Sequence, residues 1–172
     1  MLQNSMAYEE AAYKVVHKGD NFEIRYYEER VVIQTRYDSG NSGFRKLFNY
    51  ISGQNKSEKK IEMTTPVTEL QDDDQMVMQF YLPSRFDSKS APIPADNSLE
   101  IDTIEAGYFA VIQYSGFASD KNFYKHAKIL KSLLNLNDIK LIGQPIKATY
   151  NGPFTLPNLR RNEAMFLVKW VQ

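Results

Sequence analysis

The stretch FEIRYYEERVVIQTRYD, residues 22–38, lies over LEIDTIEAGYFAVIQYS, residues 99–115, when the chain is shifted by 77 positions. Glu23 then meets Glu100, Ile24 meets Ile101, Glu28 meets Glu105 and Tyr37 meets Tyr114, while Phe22 and Val32 meet Leu99 and Phe109. In the first copy Phe22, Ile24 and Tyr26 alternate onto one face, and Val31 to Tyr37 is β-branched and aromatic, so both read as strands. Each copy runs into a helix signal. Phe44, Leu47, Phe48 and Ile51 fall at i, i+3, i+4 and i+7; Phe123, Ala127, Leu130 and Leu134 form the second stripe. Ser42 and Ser119 are N-cap candidates, Asp120 suits a helix's positive end, and Gly53 supplies a left-handed residue to stop the first helix. Two further strands follow each helix; in the second half these are Pro145 to Asn151 and Glu163 to Trp170. Strand–strand–helix–strand–strand, twice, predicts an α+β domain. It is a distorted antiparallel β-barrel with two helices, built from two pseudo-symmetric ββαββ halves.

Outward from the repeat, residues 1–11 read as a flexible tail and 12–172 as a single domain, with Ala12 to His17 a first strand. The run Lys60-Ile61-Glu62-Met63-Thr64-Thr65-Pro66-Val67-Thr68 is interrupted by a proline that cannot donate to a ladder, which predicts an edge strand or a strand entry. Met76, Met78 and Phe80 alternate on the next strand. Pro83 to Asn97, with three prolines, exceeds the usual connection length and is either functional or draped over the surface.

Composition narrows the chemistry. Lys plus Arg and Asp plus Glu stand at 21 each with no long basic run, which argues against nucleic acid as partner. There is no cysteine, and His17 and His126 are too few for a histidine-built metal centre. No apolar run approaches the ~20 residues that span a bilayer, and the N-terminus lacks a signal-peptide core, so the expectation is a cytoplasmic protein with no membrane partner. Phosphate-cradling motifs are missing, and neither histidine is accompanied by a nucleophile elbow. Asp72 to Asp74 read as a solvated turn, and Arg160-Arg161-Asn162-Glu163 as an ion pair fixing the last strand, through Glu163 or Glu62. The expectation is a non-enzyme with no catalytic residues. The 11 Tyr, 10 Phe, 1 Trp and 6 Met suit both a core and the wall of a flat-ligand pocket.

The strand Phe22 to Tyr27, the helix and loop Gly43 to Asn55, the run Lys60 to Thr68 and the ending Arg160 to Lys169 together resemble the SOUL/heme-binding protein family, roughly from Tyr13 to Trp170. The resemblance implies reversible, non-catalytic binding of heme or a related tetrapyrrole on the apolar face of the first helix, as carrier, buffer or sensor. Residues so implicated are Phe44, Arg45, Leu47, Phe48, Ile51, Met63 and Tyr26. Tyr26 stands where one branch of the family has an axial histidine; apolar contact without a fixed axial ligand is the favoured expectation. Where some members carry basic groups, this chain has Asn41, Asn49 and Leu156, with Arg45 and Lys46 nearby. The alternative is a small-molecule-sensing or hydrolytic barrel, with Glu163 as a base at a mouth lined by Phe80 and Trp170. A third reading is a protein-interaction module using the Pro83–Asn97 loop.

Overall fold

The computed structural model describes residues 8–38 and 42–171. The strands β1 (Glu9–Glu10), β2 (Lys14–Lys18), β3 (Glu23–Tyr27) and β4 (Arg30–Tyr37) precede helix α1 (Ser42–Ile51). Then come β5 (Thr64–Thr65), β6 (Val67–Asp72), β7 (Gln75–Tyr81), β8 (Leu99–Ile104) and β9 (Gly107–Tyr114). Helix α2 (Asp120–Leu136), β10 (Lys140–Thr149), a 3-10 turn at Pro157–Leu159 and β11 (Asn162–Lys169) complete the chain.

Nine strands form one sheet in the order β2-β3-β9-β11-β10-β6-β7-β4-β8. Leaving out β2, this order reads the same from both ends once β3 is matched with β8, β4 with β9, β6 with β10 and β7 with β11. The two-fold relation expected from the 77-residue repeat is therefore real, and its axis passes between β6 and β10. The first strand of each half is exchanged: β3 pairs with β9, and β8 pairs with β4. Yet β3 is joined to β4 by Glu28 and Glu29 alone, and β8 to β9 by Glu105 and Ala106. Such links reach only about 10 Å, so the sheet curls until its two ends meet at these corners.

The curl does not close into the expected barrel. Each strand has two ladder edges, and β3 uses one for β9 and the other for β2, leaving none for β8. The proline-interrupted run also differs from expectation. Pro66 stands between two strands; β5 pairs with β1, and β6 is an interior strand between β7 and β10. The proline marks a strand entry, as its missing N–H requires, but not a sheet edge. Of the tail expected over 1–11, residues 9 and 10 pair in parallel with 64 and 65, and Ala11 N–H donates to Thr65 O at 3.1 Å. Residues 1–7 lie outside the described part, as do Asn41 and the Ser42 side chain, so the cap expected at Ser42 is not described.

The helices cover the outer face of the sheet, one per half. Helix α2 buries Phe123, Ala127, Leu130 and Leu134 against β3, β9 and β11, the stripe read from the sequence. Ser119 caps it, its hydroxyl accepting from Asn122 N–H at 3.2 Å. Helix α1 buries Leu47, Tyr50 and Ile51 against Ile33, Met78, Phe80 and Leu99. Gly53, at φ 115°, ends it in the left-handed region that favours glycine. The 83–97 loop is draped over this end: Tyr50 donates to Pro92 O at 2.6 Å, and Lys56 N–H to Ile93 O at 2.8 Å. A third core, with Tyr27, Phe109, Val111 and Met165, fills part of the concave interior.

Candidate functional site

Helix α1 has more apolar surface than the sheet can bury. Leu47 and Ile51 point into the core, at 0% and 6% exposed, whereas Phe44 and Phe48 on the next ridge are 43% and 49% exposed. Their rings stack at 6.0 Å with 13° between planes, and Phe44 also meets Phe80 edge-on at 5.2 Å. Beside this pair runs a groove of about 430 Å³, bounded by Met63, Thr65 and Val67 on one flank and Thr149 to Pro153 on the other. Tyr8 forms part of its rim, held there by β1 and by the Arg161–Glu10 ion pair at 2.9 Å.

The groove's polar wall is already engaged. Lys147 pairs with Asp120 at 3.0 Å and with Glu69 at 3.4 Å. The Tyr37 hydroxyl donates to Glu69 at 2.5 Å, and burial together with that carboxylate holds the phenol well above its ordinary pKa. The groove thus offers a hydrophobic floor and one ammonium shared between two carboxylates.

Behind the groove lies a buried ionic cluster. Glu163 is 0% exposed and takes a bidentate fork from Arg25, Nη1 to Oε2 and Nη2 to Oε1, both at 3.0 Å. Arg161 adds Nε and Nη2 to Oε1 at 3.1 and 3.0 Å. Burial works against the charge on both arginines, and the Glu163 carboxylate more than restores it. Arg161 lies over the Tyr150 ring at 3.8 Å, so the cluster buttresses one wall of the groove. Burial pushes Tyr27, beside it, up to about 12.

A family model described as SOUL heme-binding protein matches residues 8–167. The chain belongs to the SOUL heme-binding protein family. Heme-binding protein 2 of Homo sapiens is 31% identical over 166 residues, 87% of this chain and 78% of that protein. Heme-binding protein 1 of Xenopus laevis is 27% identical over 188 residues, 97% of each chain. Among solved structures, the EcmrR C-terminal domain superposes with a TM-score of 0.63 at 16% identity, covering 92% of this chain and 99% of that one, a likeness of fold.

In this SOUL-family chain the expected site residues do not all meet. Phe44, Phe48 and Met63 come together on the groove. Leu47 and Ile51 share the helix but serve the core, because a 3.6-residue period spreads one stripe over two ridges. Arg45 is exposed and is not part of the groove. Tyr26 is remote: it packs against Tyr108 at 5.1 Å, and the nearby Glu28 carboxylate raises its pKa, which opposes formation of a tyrosinate. Neither Phe80 nor Trp170 stands at a mouth with Glu163; Phe80 faces α1 and Trp170 meets His17 at 5.0 Å. Glu163, with both oxygens occupied by guanidinium donors, is arranged as a structural counter-ion. Sequence reading missed Tyr8, just before β1, and Lys147 and Tyr150, in β10 and directly after it; local periodicity carries no signal for a meeting of segments so far apart in the chain.

Proposed function

We propose that this chain binds heme or a related tetrapyrrole reversibly and without catalysis, seating the macrocycle in the groove beside α1. The observation that carries this reading is the exposed, stacked Phe44–Phe48 pair. Two large aromatic rings half in water gain by covering with another flat apolar surface, at about 25 cal/mol per Å². The groove's volume of about 430 Å³ lies within the usual ligand-site range. Met63 and Val67 add apolar contact, and Tyr150 a further aromatic edge. Bound here, the group would supply its iron and its flat π-surface. The chain's part is to cover one face of the ring, exclude water from that face and keep it accessible from the other.

The donor set argues for contact without a fixed axial ligand. Among the described residues the groove lining holds no histidine, Tyr26 is elsewhere, and the Tyr150 hydroxyl is buried with its pKa raised by that burial. Lys147 is shared with Glu69 and Asp120, so it attracts propionates weakly. Reversible binding suited to a carrier, buffer or sensor follows from such a surface. Hemin titration followed in the Soret band tests this. Saturable binding at micromolar hemin, lost in Phe48→Asp and kept in Tyr26→Phe, is expected. A response equal in wild type and Phe48→Asp would remove the groove from the account.

A further inference from the structure

We propose that the concave interior of the curled sheet is a second ligand site, taking a small amphiphilic organic anion whose carboxylate sits on Arg30. The interior holds a cavity of about 270 Å³, separate from the α1 groove. Leu70, Ile104, Ile142, Ile146, Met165 and Leu167 make most of its wall apolar. Arg30, the first residue of β4, projects into it. Its guanidinium lies over the rings of Tyr27, Tyr81 and Phe109 at 4.2, 5.2 and 5.3 Å.

Aromatic faces are the company Arg30 keeps; no carboxylate answers its charge. Among the described residues it makes no ion pair, and its Nε is buried without a hydrogen-bond partner. Interior arginines elsewhere in this fold are treated differently: Arg25 and Arg161 converge on Glu163. The carboxylates nearest to Arg30 in the fold do not pair with it. Glu100 and Asp102 accept from Gln34 at 2.8 and 3.2 Å, and Glu28 and Glu29, which border a second pocket that Arg30 also lines, form no ion pair with it. A buried donor without a partner is costly, and a planar fork is the geometry that a carboxylate satisfies twice.

The cavity is also built rather than incidental. Between Ile142 and Ile146, β10 advances four residues while β11 advances two, from Leu167 to Met165. The resulting bulge, with Gly143 at φ 70°, places Ile142, Gly143 and Gln144 on the cavity rim. The repeat is broken at the same level: the position 77 residues after Arg30 is Gly107, so the cation has no symmetry mate. At about 270 Å³ the space is below the range for drug-sized ligands, which suits a medium-chain carboxylate and excludes a tetrapyrrole.

Octanoate, with octylamine and 1-octanol as probes of the same length, tests this by isothermal titration calorimetry on the full chain. Octanoate is expected to bind saturably and raise Tm, with octylamine failing to bind. Arg30→Met should weaken octanoate by at least about tenfold, the factor for one charge-assisted hydrogen bond. Should Arg30→Met not fold, Met165→Trp, which fills the cavity and keeps the arginine, is expected to abolish binding. Phe48→Asp is expected to leave octanoate binding intact, which separates this site from the heme groove. Equal binding of octanoate and octylamine, undiminished binding in Arg30→Met or Met165→Trp, or loss in Phe48→Asp alone would each overturn the proposal.

Discussion

Replacing Glu163 by glutamine keeps the side chain's shape and removes its charge. In the native protein the carboxylate is 0% exposed and takes two hydrogen bonds from Arg25, itself 3% exposed, and two more from Arg161. The variant leaves two guanidinium groups facing each other across a neutral amide, and the amide N–H₂ presents donors to donors. Breaking a buried ion pair from one side costs about 3–5 kcal/mol. For a domain of this length each kcal/mol lowers Tm by about 2–4 °C. Differential scanning calorimetry of Glu163→Gln should therefore show a fall of roughly 6–20 °C. Arg161→Gln should cost less, because Arg161 is 26% exposed and its loss leaves the Arg25 fork in place. A Glu163→Gln protein melting within about 2 °C of wild type, less than 1 kcal/mol at this size, would refute the reasoning.

Alkaline pH should unfold the protein through its buried phenols. Burial raises Tyr27, Tyr50 and Tyr114 to about 12 each. A group raised on folding gives stability that is complete below its unfolded pKa near 10 and lost as pH climbs through the folded value. Urea midpoints should hold steady up to about pH 10 and fall between about 10 and 12; a midpoint unchanged across that window contradicts the assignment. Leu47→Ala, removing a fully buried side chain, should cost about 2–5 kcal/mol, whereas Phe48→Ser should cost under about 1 kcal/mol; the reverse order in urea titrations would mean that Phe48, not Leu47, is the core residue. Ser119→Ala removes the hydroxyl that accepts from Asn122 N–H and should lose about 1 kcal/mol, checked by the same titrations, with no change as the contrary result.

The repeat was legible because it is written in alternation and helical period, which local sequence carries. It foretold both helices, the cap at Ser119, the stop at Gly53 and the two-fold relation of the halves. Strand exchange was not legible: nothing in Phe22 to Tyr27 says that its partner is β9 rather than the adjacent β4. For the same reason the open edge was missed, since it depends on β2 taking the second side of β3. On α1 the stripe was read correctly but not its division into buried Leu47 and Ile51 and exposed Phe44 and Phe48. That division depends on where β7 and the 83–97 loop pack. The Arg161–Glu163 pair was visible from a spacing of two; Arg25, 138 positions from Glu163, was not.

The groove is tested most directly by locating ferric hemin on the protein through paramagnetic broadening of backbone amide signals. The account predicts selective loss of signal at Phe44 to Phe48, Met63 to Val67 and Thr149 to Gly152, the segments that border the groove. Broadening centred on Tyr26 and Tyr108, or spread evenly over the surface, would contradict it.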